Sequence, residues 1–381
     1  MPLTLRAVDD APVRLEALRG QVRDHLRAEI ADGAFVPAPD AWMSSCDPAF
    51  SKRLADRGWV GMTIPREFGG HGRDALERYV VTEELLAAGA PVAAHWIADR
   101  QMAPAILRDG TSEQKHAYLP GIASAERFFG IGMSEPDAGS DLAAVRTRAT
   151  EVRDGWRLTG TKVWTSTAHT ATNLVVLART DDGGGDRHAG LSRFIVDLPH
   201  PDVHINPIVT IDGEHHFNEV VLDEAVIPPG QLLGKRGEGW RQVTQELANE
   251  RSGPERVLST LPLLTAWAAT VDHAADSVAR SELGRLVSRL AVLRRLSLAV
   301  ADRLRRGEDP AVEAALVKDL GTTYEVDVVD TVRRYASLEP DPGGRGLASV
   351  LARAVLHTPA LTLRGGANEI LRSIVAKGLS R

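Results

Sequence analysis

The apolar pattern changes period twice along this chain, and those two changes limit its fold more than any other feature. From about Arg14 to Ala125 apolar residues recur at helical spacing, in Leu15–Ile30, Phe50–Leu54 and Tyr79–Ala87. Near Phe129 strand chemistry takes over and runs to about Lys235. Asp154-Gly155 between alternating segments signals a hairpin. Leu174–Leu177 and Phe194–Leu198 read as buried strands, with the glycine-rich stretch Gly183–His188 as a flexible loop between them. After Gly237-Glu-Gly-Trp240 helical spacing returns to the end, broken at Pro340–Gly346. The expected class is α+β, with a helical segment over 1–126, a β segment over 127–235 and a helical bundle over 236–381. At 381 residues the chain is too long for one simple core.

Composition narrows the function. Hydrophobic and charged contents of 43% and 25% are those of a globular protein. A net charge of −6 gives no general affinity for nucleic acid or an anionic membrane surface. The single cysteine, Cys46, forms no intrachain disulfide and no Cys-x-x-Cys site, which suits a reducing, cytoplasmic setting. The apolar run Val257–Val271 contains Pro262 and is too short to span a bilayer, so it is expected as a buried helix. The acidic N-terminal stretch with Asp9 and Asp10 does not read as a signal peptide.

Two stretches carry the chemistry. Phe129–Asp141 (Phe-Gly-Ile-Gly-Met-Ser-Glu-Pro-Asp-Ala-Gly-Ser-Asp) has glycines where backbone must approach something closely, small hydroxyls that can bond a ligand, and a Pro-Asp turn. Lys162–Thr167 (Lys-Val-Trp-Thr-Ser-Thr) sets one large aromatic beside three hydroxyl residues at a strand end. The pair suits a flat, hydrogen-bonding heterocycle bearing phosphate.

Other motifs have plainer explanations. Gly69–Gly72 resembles a phosphate loop, but no strand precedes it and no Gly-Lys-Ser/Thr follows. Thr111-Ser-Glu-Gln114 is a capping box. The overlapping Ser112-Glu-Gln-Lys115 matches the Ser-x-x-Lys of penicillin-binding acylases without its companion motifs. His215, His216 and nearby carboxylates meet no metal-site spacing and fit an alternating strand from Asp212. Arg285, Arg289, Arg294, Arg295, Arg303, Arg305 and Arg306 flank a leucine stripe and suit a solvated or subunit-facing helix, or a contact for an anionic carrier.

The 129–141 loop, Lys162–Thr167, Gly58–Gly72 and the tail Arg364-Gly-Gly-Ala-Asn-Glu-Ile370 together resemble the acyl-CoA dehydrogenase family, over nearly the whole chain and in order. The resemblance implies a three-domain fold: a helical bundle, a β-barrel-like domain and a four-helix bundle. It also implies FAD as cofactor and a homo-oligomeric assembly, dimer or tetramer. Met133 and Ser134 would bond the flavin pyrimidine edge. Gly139 and Ser140 would lie near the pyrophosphate. Trp164 would pack on the ring, and Thr165 and Ser166 would sit beside it with the Ser166 hydroxyl at N5. The family's commoner base precedes the tail glycine; here that position is Gly365. Its other location, a Glu-Arg pair on a helix of the last domain, matches Glu250-Arg251, with Glu246 and Glu255 as rivals. Arg251, Gly365 and Gly366 would then touch substrate, Gly365 through its backbone N–H at the thioester oxygen.

Two departures stand out. The family's Arg-x-x-Phe-Gly survives as Arg280-Ser-Glu-Leu-Gly284, with Arg280 expected at the cofactor, and its Gln-x-x-Gly-Gly is replaced by Arg333-Arg-Tyr-Ala-Ser337. The expected reaction is dehydrogenation of an acyl thioester, on CoA or acyl carrier protein, by α-proton removal and β-hydride transfer to flavin N5. An electron-transfer flavoprotein would accept the electrons. The rivals are a flavin monooxygenase or oxidase on the same fold, and a non-catalytic partner in a hetero-oligomer.

Overall fold

The computed structural model describes residues 13–251 and 253–380, without the side chains of 247–250. Before the sheet come α1 (Val13–Ala31), α2 (Ala41–Ser44), α3 (Pro48–Asp56), α4 (Ala75–Ala87), α5 (Ala93–Ile97), α6 (Ala103–Asp109) and α7 (Ser112–Ala123). The strands are β1 (Phe129–Gly132), β2 (Arg148–Val152), β3 (Gly155–Ser166), β4 (Asn173–Arg179), β5 (Leu191–Asp197), β6 (Val203–Ile208), β7 (Phe217–Ile227) and β8 (Leu232–Leu233). Then follow α8 (Gly239–Glu250), α9 (Leu261–Ala268), α10 (Ser277–Arg305), α11 (Ala311–Tyr335), α12 (Leu347–Leu361) and α13 (Asn368–Leu379). No described helix is long and apolar enough to cross a membrane.

The chain forms two compact units. Of the described residues, the first takes 13–42, 74–91, 248–251 and 253–380, so helices from early and late in the chain share one core. Asp74 starts α4 with a capping box closed by Glu77. Buried Arg19 of α1 pairs with Glu83 at 2.6 Å and with Glu84, and Arg294 of α10 pairs with the same Glu83. The arginines of α10 are largely committed in this way. Arg285 and Arg289 bond Asp327 of α11, Arg303 bonds Glu308 and Glu313, and Arg305 and Arg306 bond Asp302. The apolar run after Val257 is the expected buried helix, α9, with Leu263, Leu264 and Trp267 in the core.

The second unit takes 43–73 and 92–247. Its sheet runs β6-β7-β3-β2-β4-β5-β8, with β1 added parallel to β4. Val152 opposite Gly155 closes the expected Asp154-Gly155 hairpin. One face packs Phe129, Val175 and Ile195 against Met102, Ile106 and Leu119 of the helices; the other buries Trp156, Phe194 and Val220. Each such side chain contributes about 1.5–3 kcal/mol of burial. The capping box at α7 forms as expected: the Gln114 N–H donates to Thr111 Oγ1, and the Thr111 N–H to Gln114 Oε1.

One expectation is corrected. The segment from Asp212 to His216 is a turn, closed by hydrogen bonds between Thr210 and Glu214, and the strand begins only at Phe217. The side-chain oxygen of Thr210 bonds both Asp212 and the Glu214 carbonyl, a local alternative to ladder pairing. The turn brings ligand-type atoms of Asp212, Glu214 and His216 within 4.8 Å of one another.

Candidate active site

In the second unit the site is built on a bulge. Lys162 pairs with Val220 and Thr165 with Asn218, so Val163 and Trp164 together oppose the single residue Glu219. The extra residue places Trp164 at φ +60°, a left-handed conformation that glycine would adopt freely and a bulky side chain adopts at a cost of about 1–3 kcal/mol. The indole is 57% exposed, propped edge-on against Phe217 at 5.7 Å and 87°. Next to it Thr165 is fully buried, and its Oγ1 has no hydrogen-bond partner among the described residues. Asn218 holds this strand end by donating to the Thr165 carbonyl at 3.0 Å, and Ser166 Oγ lies 3.3 Å from Met43 Sδ.

The 129–141 loop is fastened to that bulge. Gly130 and Gly132 let β1 lie close to its neighbours: a Cβ on Gly130 would meet Leu174 at 2.8 Å, and one on Gly132 would meet Lys162 at 3.1 Å. The Val163 N–H donates to the Ser134 carbonyl at 2.9 Å. Glu135-Pro-Asp-Ala138 forms the expected tight turn, its ends exchanging backbone bonds. Beneath it, fully buried Lys162 donates to the Met133 carbonyl at 3.1 Å and to Glu135 at 2.8 Å, while Glu135 also accepts from the Arg146 and Thr147 N–H groups. Burial lowers the Lys162 ammonium to about 8, against the opposing pull of Glu135. Burial raises the Glu135 carboxyl, but the charge and hydrogen bond of Lys162 outweigh it and leave Glu135 below its usual range. Gly139 and Ser140 follow on the exposed side of the loop.

In the first unit the tail turn joins α12 to α13, with Gly365 and Gly366 at φ +69° and +98°. Arg251, one residue past the end of α8, donates to the Gly365 carbonyl at 3.0 Å. Arg364 makes a two-point pair with buried Asp40 at 2.5 Å and lies over Trp42 at 4.7 Å. His357 shares the same carboxylate at 3.2 Å. Burial opposes ionisation of Asp40, yet Arg364 and His357 hold its carboxyl well below the usual range.

Comparison with known proteins settles the family. Models described as acyl-CoA dehydrogenase N-terminal, middle and C-terminal domains match residues 14–126, 130–225 and 237–380. The chain belongs to the acyl-CoA dehydrogenase family. It is 34% identical to the acyl-CoA dehydrogenase IpdE1 of Mycobacterium tuberculosis, with 94% of each chain covered. It is 32% identical to acyl-CoA dehydrogenase FadE29 of the same organism over 86% of each. Among solved structures, a Tcur3481-Tcur3483 steroid ACAD matches with a TM-score of 0.86 at 28% identity, covering 100% of this chain and 99% of that one. The acyl-CoA dehydrogenase fold expected from sequence is therefore present, and the protein is an FAD-dependent flavoprotein oxidoreductase that dehydrogenates the CH–CH group of an acyl-CoA.

The residues present fit the flavin. An exposed indole on a strained bulge, beside a buried hydroxyl with no protein partner, is costly for the protein alone and suited to a planar, hydrogen-bonding ligand. Met133, Ser134, Trp164, Thr165 and Ser166 come together in the second unit. Arg280 is exposed near the start of α10 and donates to the His273 carbonyl in the segment before that helix. Glu250 closes α8, and its side chain lies outside the described residues. Of its rivals, Glu246 is buried against Arg193 at 2.7 Å, and Glu255 is buried in the short turn at Pro254–Arg256.

Sequence reasoning missed the supports of the site: Glu135, Asp40, His357 and Lys318. Lys318 left a trace, a cation on the helical face otherwise occupied by Ala314, Ala315, Gly321 and Val328.

Proposed function

We propose that this chain dehydrogenates a bulky, ring-bearing acyl-CoA, with Glu250 as the base that removes the α-proton. The base assignment is carried by one observation: Arg251, the residue after Glu250, is bonded to Gly365, the position where the family's commoner base stands. Glycine at that position leaves room for a carboxylate arriving from α8. Bound FAD supplies the hydride acceptor for the β-carbon. Met133 and Ser134 hold its pyrimidine edge, Gly139 and Ser140 its pyrophosphate, and Trp164 with Thr165 and Ser166 its ring. The Gly365 N–H donates to the thioester oxygen and stabilises the charge that develops there, which makes a weakly acidic α-proton removable. Glu250 takes up that proton as the general base.

The substrate class rests on relatives whose names specify a steroid enzyme, at 28% identity over the whole chain. Assembly with a second, different acyl-CoA dehydrogenase chain is supported by the ChsE4-ChsE5 complex of Mycobacterium tuberculosis, 27% identical over 98% of this chain. It also accords with the loss of Gln-x-x-Gly-Gly at Arg333–Ser337. The electrons pass to an electron-transfer flavoprotein, in the cytoplasm.

The test is anaerobic mixing of purified protein, alone and co-expressed with a neighbouring homologue, with straight-chain and steroid-side-chain acyl-CoAs, followed by flavin absorbance. Bleaching with the ring-bearing substrates is expected, and a Glu250→Gln variant should bind them without bleaching. Bleaching that persists in Glu250→Gln would sink the base assignment; bleaching with straight chains only would sink the substrate class.

A further inference from the structure

The tail turn rests on a lysine that pairs with no carboxylate among the described residues. Lys318, on the inner face of α11, is 0% exposed. Its Nζ donates to the Thr362 carbonyl at 3.1 Å, the Gly366 carbonyl at 2.8 Å and Asn368 Oδ1 at 2.7 Å. Three acceptors match all three protons of an ammonium; the Thr362 carbonyl also accepts from the Asn368 N–H and Asn368 Oδ1 from Thr322 Oγ1, so the Gly366 carbonyl is the one that depends on Lys318. Burial first, then the charges of Arg256, Arg364 and Arg251, lower this ammonium to about 7, with Asp319 opposing. Placing a cation here is costly by both burial and like charge. A structural tie between helices would be met more cheaply by a neutral donor.

The arrangement has a consequence for the turn. Arg251 draws in the carbonyl of Gly365, and Lys318 those of Thr362 and Gly366. In a trans peptide the N–H points away from the preceding C=O. Fixing the Gly365 and Gly366 carbonyls therefore turns the N–H groups of Gly366 and Ala367 away from the cations. Among the described residues the N–H groups of Gly365, Gly366 and Ala367 donate no hydrogen bond. Three consecutive free donors remain, with a positive charge fixed behind them. That is a preorganised environment for an oxygen that gains negative charge.

We propose that Lys318 is a positioning residue for the acyl-thioester oxygen: it holds the tail turn so that the free N–H row Gly365–Ala367 faces that oxygen, and its charge stabilises the enolate formed when the α-proton leaves. This rests on the assignment of Gly365 to the thioester. It adds that the polarising power of the turn is set from α11, by a group that touches neither substrate nor cofactor.

The experiment uses the flavin-loaded protein and acetyl-CoA, which has no β-carbon, so that enolisation is isolated from hydride loss. Two quantities are read: exchange of the methyl protons with deuterated water, and the thioester C=O stretch of bound carbonyl-labelled acetyl-CoA by difference infrared. In the native protein the stretch should move to lower frequency on binding. In Lys318→Met it should return toward its value in solution, and exchange should slow about 10- to 100-fold, somewhat less than loss of a direct oxyanion donor. Acetyl-CoA affinity should stay within about 3-fold, because uniform binding is not what the turn supplies. Lys318→Arg should recover part of both signals. Where Lys318→Met fails to fold, Lys318→Gln, with two donors and no charge, carries the same comparison. A stretch shifted in the native protein and unchanged in either neutral variant overturns the proposal. So does a fall in exchange matched by an equal fall in affinity. No shift in the native protein overturns the thioester assignment of the turn, and the proposal with it.

Discussion

Glu325→Gln should strip out much of the pH dependence of stability near neutrality. Glu325 is fully buried on α11, and one oxygen accepts the Ser259 N–H at 2.7 Å. Its second oxygen has no hydrogen-bond partner among the described residues. Burial raises its carboxyl from 4.5 to about 7, with Asp40 adding to the rise and Arg364 and the Ser259 N–H opposing it. The folded state thus holds a proton that the unfolded chain has already released. The stability this proton contributes is fully present below pH 4.5 and is lost as the pH rises to about 7. At about 1.4 kcal/mol per pH unit, the loss amounts to about 3 kcal/mol. Glutamine retains the acceptor for Ser259 and does not ionise. The variant should therefore gain on the native protein by up to about 3 kcal/mol between pH 5 and pH 8, riding on a pH-independent offset of about 1 kcal/mol for its extra N–H. Urea unfolding of both proteins at half-unit pH steps measures this, because every other titrating group cancels in the difference. Midpoints serve where unfolding is not two-state. A difference that stays flat from pH 5 to pH 8 would refute the reasoning.

Trp164→Gly should leave the stability of the flavin-free protein within about 1 kcal/mol of native, since relief of the left-handed strain offsets the loss of an exposed ring, while flavin retention on dilution falls about tenfold or more. Equal losses of both would mean the indole is a core residue. Lys162→Met should cost about 3–5 kcal/mol, because it strands the Glu135 carboxylate in a buried site, and the double variant with Glu135→Gln should recover part of that loss. Thermal unfolding of the two variants checks it, and no recovery would mean that the bond to the Met133 carbonyl, rather than the pair, is what matters.

The Pro-Asp turn and the hydroxyl-rich strand end were legible because they are written in consecutive residues; the bulge at Val163-Trp164 was not, because it depends on the register with β7. The hairpin at Asp154-Gly155 and the capping box at Thr111 were legible for the same reason. The turn at Asp212–His216 was misread because its alternation satisfies a strand pattern, while Thr210 and Asp212 offered the backbone a local alternative that periodicity does not weigh. The sharing of one core by α1, α4 and the C-terminal helices was beyond reach of the same method: helical spacing says which face is apolar and leaves its partner open.

The supports of the tail turn were illegible for a further reason. Lys318, Thr322 and Glu325 stand at i, i+4 and i+7 of α11, so helical geometry puts them on one face, and all three are buried. A surface stripe would have the same spacing. What separates the readings is partner identity, and every partner comes from elsewhere in the chain. Lys318 meets carbonyls of 362 and 366 and the Asn368 amide, whereas Glu325 meets the N–H of Ser259. The two residues then take opposite protonation costs within two turns of the same helix. Burial lowers the lysine ammonium to about 7 despite its three acceptors, and raises the glutamate carboxyl to about 7 against the single Ser259 N–H. Both groups therefore titrate near pH 7 on the face of α11 toward the tail turn, and protonation of either makes that face more positive, the sign a thioester enolate needs.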